Sequence, residues 1–311
     1  MQDVARLAGV SSATVSRVLN DGQNVSQRTR ERVQAAIDSL GYRPSRVARS
    51  LRVNRSKIIG LLISDIQNPF FTALARAVDD VAFKHQYTIF LCNSDENTVK
   101  EALYLDLMYS ENVAGIIITP SCERQSPCAR LIGLGMPMVA VDRGLLDADI
   151  DTVVIDNVGG AYQLVENLIA DGHRDIAIIV GSQTITTGRE RYEGYVQALT
   201  AHGLPVRPEW VFTVPPTESS GYQSALKLLQ RPDRPTAIFT GNNLLTVGTL
   251  RVLYELNLRV GEDIALGAFD EVSLMTILLP DLNVVAQPAY EIGVTATELL
   301  LKRIANPERP T

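Results

Sequence analysis

Asp3-Val4-Ala5-Arg6-Leu7-Ala8-Gly9-Val10-Ser11-Ser12-Ala13-Thr14-Val15-Ser16-Arg17-Val18-Leu19-Asn20 is the stretch from which the rest of this chain can be read. Val4, Leu7 and Ala8 recur at helical spacing, and Gly9 ends that helix. Val10-Ser11 is a tight turn, with Ser11 placed to cap a second helix over 12–20. The second helix has two faces. Val15, Val18 and Leu19 pack inward, whereas Ser12, Ala13, Ser16 and Arg17 point the other way. That second face is small and polar with one long cation. It suits the DNA major groove, where an arginine can donate two hydrogen bonds to guanine. Asn20-Asp21-Gly22 stops the helix, and a third begins near Ser26 with Val33, Ala36, Ile37 and Leu40 on its apolar stripe. Helix, tight turn, helix, loop, helix is a helix-turn-helix pattern, set against the plainer alternative of a generic three-helix bundle.

Charge adds to the turn and the two-faced helix, although by itself a basic surface reads equally as a solvated one. The 311 residues carry a net charge of −6, which alone argues against a nucleic-acid partner. The charge is not evenly spread. Residues 1–60 hold eleven Lys/Arg and four Asp/Glu, an excess of seven positive charges, while the remainder carries an excess of thirteen negative ones. A basic head on an acidic body places the polyanion partner at the head.

Farther along, Gly41-Tyr42-Arg43-Pro44 and Val47-Ala48-Arg49-Ser50-Leu51 follow the third helix. With the opening stretch, these residues resemble the lactose/galactose repressor (LacI/GalR) family of bacterial transcription regulators, and the likeness runs over nearly the whole chain. The resemblance implies roles position by position. Ser12 and Ala13 match base-reading positions and Arg17 a guanine contact. Thr14 and Ser16 match positions near the phosphates, and Asn20 completes the DNA-binding set on this helix. Residues 45–51 match a short hinge helix that pairs with its dimer mate in the minor groove. There Arg46, Val47 and Arg49 face DNA and Leu51 wedges into a central base step, trading unstacking for a bend. From the residues alone, 45–57 reads equally as a flexible basic linker, because so short a helix is marginal in isolation.

From Lys57 the texture changes. Apolar runs at 58–64, 87–92, 115–119 and 138–141, then 176–180, 237–240 and 264–268, alternate with amphipathic stretches at 70–84, 99–109, 159–171, 189–202, 220–230 and 244–256. Such alternation predicts parallel sheets with right-handed crossovers. The expected fold class is therefore α/β, a two-lobed periplasmic-binding-protein-like core of two doubly wound parallel sheets preceded by a small all-α helix-turn-helix domain. The expected division is a DNA-binding domain over 1–44, a hinge over 45–56 and a core over 57–311. Lobe 1 would be about 57–157 plus 289–311, and lobe 2 about 158–288.

In such folds a ligand sits beyond the carboxyl ends of the strands. The residues there are Asp65 with Phe70 and Phe71 after the first strand, Asn93 after the second, Thr119 after the third and Asp142-Arg143 after the fourth. In the second lobe they are Arg191, Asn242, Asp270 and Gln287. Asp, Asn, Gln and Arg converging on a cleft suit a polyol, since each hydroxyl both donates and accepts. Any one of these residues also reads as a cap or turn residue, and Asn93 and Thr119 divide evenly between the two readings. The resemblance implies effector contacts at Asp142, Arg191, Asn242, Asp270 and Gln287.

The chain departs from the family in places. Asn243 stands where the family usually has Asp, and 214–217 and Ala289 lack the aromatic ring that some relatives carry. The only tryptophan, Trp210, reads as part of a surface connection, leaving Phe70 or Phe71 as the stacking platform. The chain also begins at the first helix and ends before the family's usual terminal strand.

Other classes fit less well. Three histidines occur in no catalytic motif, and no G-x-S-x-G, P-loop or metal-ligand spacing is present. No metal or cofactor is expected. Cys92, Cys122 and Cys128 read as reduced thiols. No apolar run approaches a membrane span and the N-terminus lacks an apolar signal region, so a cytoplasmic location is expected. A sugar-binding protein without a regulatory role and a sugar-modifying enzyme remain the alternatives. The reading is a repressor that binds a palindromic operator of two half-sites as a homodimer and is controlled by a sugar or sugar derivative, with no heptad to make a tetramer.

Overall fold

The computed structural model describes residues 1–19, 25–41, 56–124, 126–271 and 275–307. The chain divides into two compact units, Met1–Ser56 and Lys57–Thr311. Asn20, Arg46, Val47, Arg49 and Leu51 of the expected DNA-contacting set lie outside the described residues.

The first unit contains α1 (Gln2–Ala8), α2 (Ser12–Leu19) and α3 (Gln27–Ser39). Val4, Ala5 and Ala8 meet Val15 and Val18 of α2 and Val33, Ala36 and Ile37 of α3 in one small core. Gly9 ends α1 at φ 63, a left-handed conformation that glycine adopts without penalty. A Cβ there would also stand 2.7 Å from Arg32 Nη2, whose guanidinium donates to the Ala8 and Gly9 carbonyls at the end of α1. Ser11 Oγ accepts from Thr14 N at 3.1 Å and Ser26 Oγ from Thr29 N at 3.3 Å, so α2 and α3 each begin on a serine cap. Two expectations need correcting. Leu7 and Leu40 are exposed. Ala5 takes the inward place on α1, and Leu40 falls at the C-cap of α3, where the stripe has turned away from the core.

The second unit is two lobes built alike. In lobe 1, β1 (Ile58–Ile63), β2 (Thr88–Asn93), β3 (Gly115–Ile118), β4 (Met138–Val141) and β5 (Asp151–Val153) form a parallel sheet in the order β2-β1-β3-β4-β5. In lobe 2, β6 (Ile176–Val180), β7 (Val211–Thr213), β8 (Ala237–Thr240), β9 (Ala265–Phe269) and β10 (Asn283–Val285) are also parallel, in the order β7-β6-β8-β9-β10. Each lobe thus repeats the same doubly wound winding. Successive strand residues alternate between two covered faces, which is why the central strands are continuous apolar runs.

On one face of lobe 1, Ile59, Leu61, Ile117 and Val139 pack under α4 (Pro69–Lys84) and α12 (Ala289–Ala305). On the other, Leu62, Ile116, Ile118 and Met138 meet α5 (Thr98–Ser110) and α6 (Cys128–Gly133). In lobe 2, Ile176, Ile178 and Phe239 lie under α7 (Asn157–Ala170) and α8 (Thr186–Ala201). Ala177, Ile179 and Ile238 lie under α9 (Glu218–Leu229) and α10 (Asn243–Glu255). A short α11 (Met275–Leu278) precedes β10.

Trp210 is no surface residue: it closes a 3-10 turn with 3% exposure, its ring packed in the α9/α10 core and Arg207 stacked over it at 4.3 Å. The chain leaves lobe 1 after β5 to form α7 of lobe 2. It returns after β10 to form α12, whose Ile292, Ala296, Leu300 and Ile304 fill the lobe 1 core. Gly293 lets α12 approach α4 closely, since a Cβ there would stand 2.7 Å from the Leu74 carbonyl oxygen.

Candidate functional site

On the head, α2 presents Ser12, Ala13 and Arg17 outward, with Val15 and Val18 buried beneath. Thr14 is half-buried, and its hydroxyl lies 2.9 Å from that of Ser11 within the cap. Ser16 departs from the expected outward face, being only 8% exposed. At 100° per residue it falls beside Val15 on the inner edge of the helix. The outward surface is therefore narrower than the sequence pattern implied, with Arg17 as its long reaching group.

In the body, a cavity of about 660 Å³ opens between the lobes at the carboxyl ends of both sheets. Eight of the ten expected effector residues line it: Asp65, Phe70, Phe71 and Asp142 from lobe 1, and Arg191, Asn242, Asp270 and Gln287, which follow lobe 2 strands or lie on α8. The other two do not. Asn93 accepts from Ile66 N at 3.0 Å and donates to Asp95, so it holds the loop beneath the cavity. Thr119 is fully buried in the strand layer, its hydroxyl without a partner among the described residues. Thr119 sits one layer too deep, and the Asn93 amide is spent on holding the loop. Phe70 and Phe71 reach the cavity but belong mainly to the lobe 1 core, stacked edge-to-face at 5.0 Å.

The two lobes aim matching acids into this space. Asp142 follows β4 and Asp270 follows β9, the same place in each sheet. Asp142 N donates to Val153 O of β5 at 3.0 Å, and Asp270 N to Val285 O of β10 at 2.9 Å. Both have left-handed backbones, φ 69 and 72. Seven described non-glycine residues have positive φ. Three of them, Gln86, Asn112 and Asn257, terminate helices, where that conformation is routine. The other four, Asp95, Glu96, Asp142 and Asp270, all line the cavity. A carboxylate bearer held in this sparsely populated region costs free energy that the surrounding structure must offset, and such residues concentrate at ligand sites.

Each acid has an arginine. In lobe 2, Arg191 is 5% exposed and stacks 3.9 Å over the Phe269 ring. Its Nε donates to Asn157 Oδ1 at 3.0 Å and its Nη1 to Gly241 O at 2.7 Å, with Asp270 at 3.7 Å. Burial raises the Asp270 pKa above the ordinary carboxylate value, although Arg191 and a hydrogen bond from Gln287 pull against it. In lobe 1, Arg143 donates to both Glu96 oxygens, at 2.8 and 3.0 Å, and to Asp142 Oδ2 at 3.1 Å. Burial opposes its charge, but the Glu96 and Asp142 carboxylates outweigh burial and hold its pKa above the usual arginine value. Glu96 was not among the residues expected from sequence, and Arg143 was noted at its strand end but not given an effector contact. Arg143 carried the same signal as its neighbour Asp142, a polar residue at a strand end. The Asp95-Glu96 pair in the loop after β2 was the other available sign.

Two contacts bridge the lobes at the cavity margin. Asn243 Nδ2 donates to Asn68 Oδ1 at 2.8 Å, the same oxygen that caps α4 by accepting from Phe70 N. Glu123 of lobe 1 accepts from the Thr186 hydroxyl and from Arg189 Nη2, the latter at 3.2 Å. The departure at Asn243 has a local reason, because an aspartate there would set an acceptor against an acceptor. Behind the lobe 1 wall, Glu101 is fully buried. Its Oε2 accepts from Ser121 N at 2.6 Å, its Oε1 has no partner among the described residues, and burial raises its pKa.

A three-helix head and a two-lobed body with a polar interlobe cavity define a ligand-responsive DNA-binding regulator. Residues 1–45 match the family described as bacterial regulatory proteins, lacI family, and residues 56–311 match periplasmic binding proteins and sugar binding domain of LacI family. The chain belongs to the LacI family. It is 37% identical to the HTH-type transcriptional repressor PurR of Pectobacterium atrosepticum, over 98% of this chain and 90% of that one. Among solved structures, it is similar to one described as a ribose operon repressor from Burkholderia thailandensis (37% identity, 83% of this chain and 96% of that one, TM-score 0.75). It is also similar to the lac repressor dimer bound to operator and the anti-inducer ONPF (27% identity, 98% and 92%, TM-score 0.85). The chain is a DNA-binding transcriptional repressor with a small-molecule effector domain, and not an enzyme. No described helix is long and apolar enough to cross a membrane.

Proposed function

We propose that this repressor acts in the cytoplasm as a homodimer on a palindromic operator, and that a sugar or sugar derivative bound between the lobes releases it. The observation that carries the effector reading is the pair of equivalent acid–arginine clusters, Asp142 with Arg143 and Asp270 with Arg191, aimed from two sheets into one cavity. Such clusters offer fixed acceptors and donors at several points, which is what a ring of hydroxyls requires. A flat aromatic effector would need ring faces, and the only aromatic side chains lining the cavity among the described residues, Phe70 and Phe71, spend most of their surface on the core.

Ser12, Ala13 and Arg17 are the proposed base-reading surface, with Thr14 and the buried edge of Ser16 toward the backbone. Asn20, Arg46, Val47, Arg49 and Leu51 extend it. The dimer is supported by apolar surface in both lobes. Val99, Leu103 and Leu107 form an exposed i, i+4, i+8 stripe on α5, Phe83 is exposed on α4, and Tyr254, Ile277 and Leu278 are exposed in lobe 2. A second copy covering both patches accounts for them, and the lac repressor structure is that of a dimer.

The effector shifts operator affinity only through its different affinity for two lobe arrangements. The test is a thermal-shift screen of the whole protein against pentoses, hexoses, disaccharides and nucleosides, followed by operator mobility shift with each binder. A ligand at about a hundred times its Kd stabilises the protein by about 2.7 kcal/mol, an effect readily seen. A sugar that both stabilises the protein and releases DNA supports the reading. A nucleoside that does so in place of every sugar refutes it.

A further inference from the structure

The cavity wall is unbalanced in charge. Asp65, Asp95, Glu96, Asp142 and Asp270 line it against two guanidiniums, Arg143 and Arg191. Neither guanidinium is free to take an anion. Arg191 is engaged by Asn157, Gly241 and Asp270. Arg143, with its side chain 6% exposed, is gripped on both edges of its fork by Glu96 and on its Nε by Asp142. Two carboxylates on one guanidinium leave that trio with a net negative charge. Glu96 is the member that can be removed without disturbing the strand end. It follows β2 in the cavity loop, it is the more exposed partner at 33%, and its left-handed backbone at φ 56 is what turns it back onto Arg143.

We propose that Glu96 sets the charge specificity of this cavity. By occupying both ends of the Arg143 fork it keeps the lobe 1 wall anionic, so the site admits neutral polyols and turns away phosphate esters and sugar acids. The assignment rests on the polyol reading for the identity of the ligand. Its electrostatic half stands by itself, because a bidentate arginine is the natural partner of a phosphate as well as of a carboxylate. Removing Glu96 exposes a preformed phosphate fork.

Calorimetric titration of the full-length protein with D-ribose, D-glucose, D-ribose 5-phosphate, D-glucose 6-phosphate and inorganic phosphate tests this. The proteins compared are the wild type, Glu96→Gln, Glu96→Ala and the double variant Glu96→Gln/Arg143→Gln. The expected result is that wild type binds no phosphorylated member of the panel. Both single variants gain at least tenfold in affinity for inorganic phosphate and the esters, and the double variant loses that gain. A wild type that binds an ester as well as its parent sugar overturns the proposal, and so do single variants with no gain for phosphate. If phosphate binds the single variants while neither sugar binds any form, the role of Glu96 stands and the polyol reading falls.

Discussion

Arg191→Ala tests the physical account of the lobe 2 cluster most directly. The guanidinium satisfies Asn157 Oδ1 and Gly241 O and faces the Asp270 carboxylate at 3.7 Å, with arginine and aspartate side chains each 6% exposed. Removing one partner of a buried ion pair costs about 3–5 kcal/mol, because the remaining charge stays desolvated. Gly241 lines a cavity that water can enter, and removing the arginine side chain opens space beside Asn157, so a loss at the lower end of that range, about 3 kcal/mol, is expected. Asp270 then keeps the burial that raises its pKa and loses the arginine that lowers it. A carboxyl whose folded pKa is raised contributes stability that is present at low pH and is lost as pH rises through that pKa. The variant should therefore lose stability as pH rises above the ordinary carboxylate value of 3.8, more steeply than wild type. Urea denaturation followed by the fluorescence of Trp210, which lies in the same lobe, measures both effects. Adding Asp270→Asn to Arg191→Ala should recover part of the loss and flatten the pH dependence. A loss below about 1 kcal/mol, the net worth of an ordinary hydrogen bond, or no recovery in the double variant would refute the argument. In the same variant, operator binding should persist while the response to sugar is abolished.

Three further outcomes are expected. Arg17→Ala should weaken specific operator binding by about 1–3 kcal/mol and relax preference at one base position, measured by fluorescence anisotropy against single-base operator variants; a uniform loss on all sequences would make Arg17 a phosphate contact instead. Asn243→Asp should set a carboxylate against Asn68 Oδ1, remove the Nδ2 donor that bridges those two loops, and weaken sugar affinity by about tenfold, one lost hydrogen bond's worth; calorimetry reads this, and unchanged affinity would show that the bridge does not hold the closed lobes. Glu101→Gln removes a buried carboxyl whose pKa is raised above its ordinary 4.5. Wild type should lose stability relative to this variant as pH rises from the acid range to neutrality, and thermal melts in which wild type gains instead would reverse the assignment.

Much of this architecture was legible because buried parallel strands are plain apolar runs. The stretches 138–141, 176–180 and 237–240 correspond residue for residue to β4, β6 and β8. The three-residue edge strands β5, β7 and β10 were not legible. Their half-exposed residues carry no such run, and they exist because a neighbouring strand offers hydrogen-bonding groups. At the cavity, residues just past strand ends were found by position. Thr119 occupies the same kind of position but lies a layer deeper, and Asn93 is tied to Ile66 and Asp95; sequence reveals neither the depth of a strand end nor the loop partners it finds. Glu96 was missed because only the left-handed turn of its backbone brings it to Arg143. Ser16 was misread because helical periodicity places it near a boundary between faces, which packing rather than spacing decides.

The return of the chain after β10 has a consequence for biogenesis. The helix that completes lobe 1, α12, is the last element described, and it packs against α4, more than two hundred residues earlier. As the ribosome delivers the chain, lobe 2 has all its strands and helices while lobe 1 still lacks Ile292, Ala296, Leu300 and Ile304 over the β1–β3–β4 face. Contacts closed over so long a loop form late. A nascent chain halted near residue 288 would therefore hold a finished second half and an open first half, with its apolar sheet face available to chaperones. A frameshift within the codons for α12 would do its damage in the lobe encoded first.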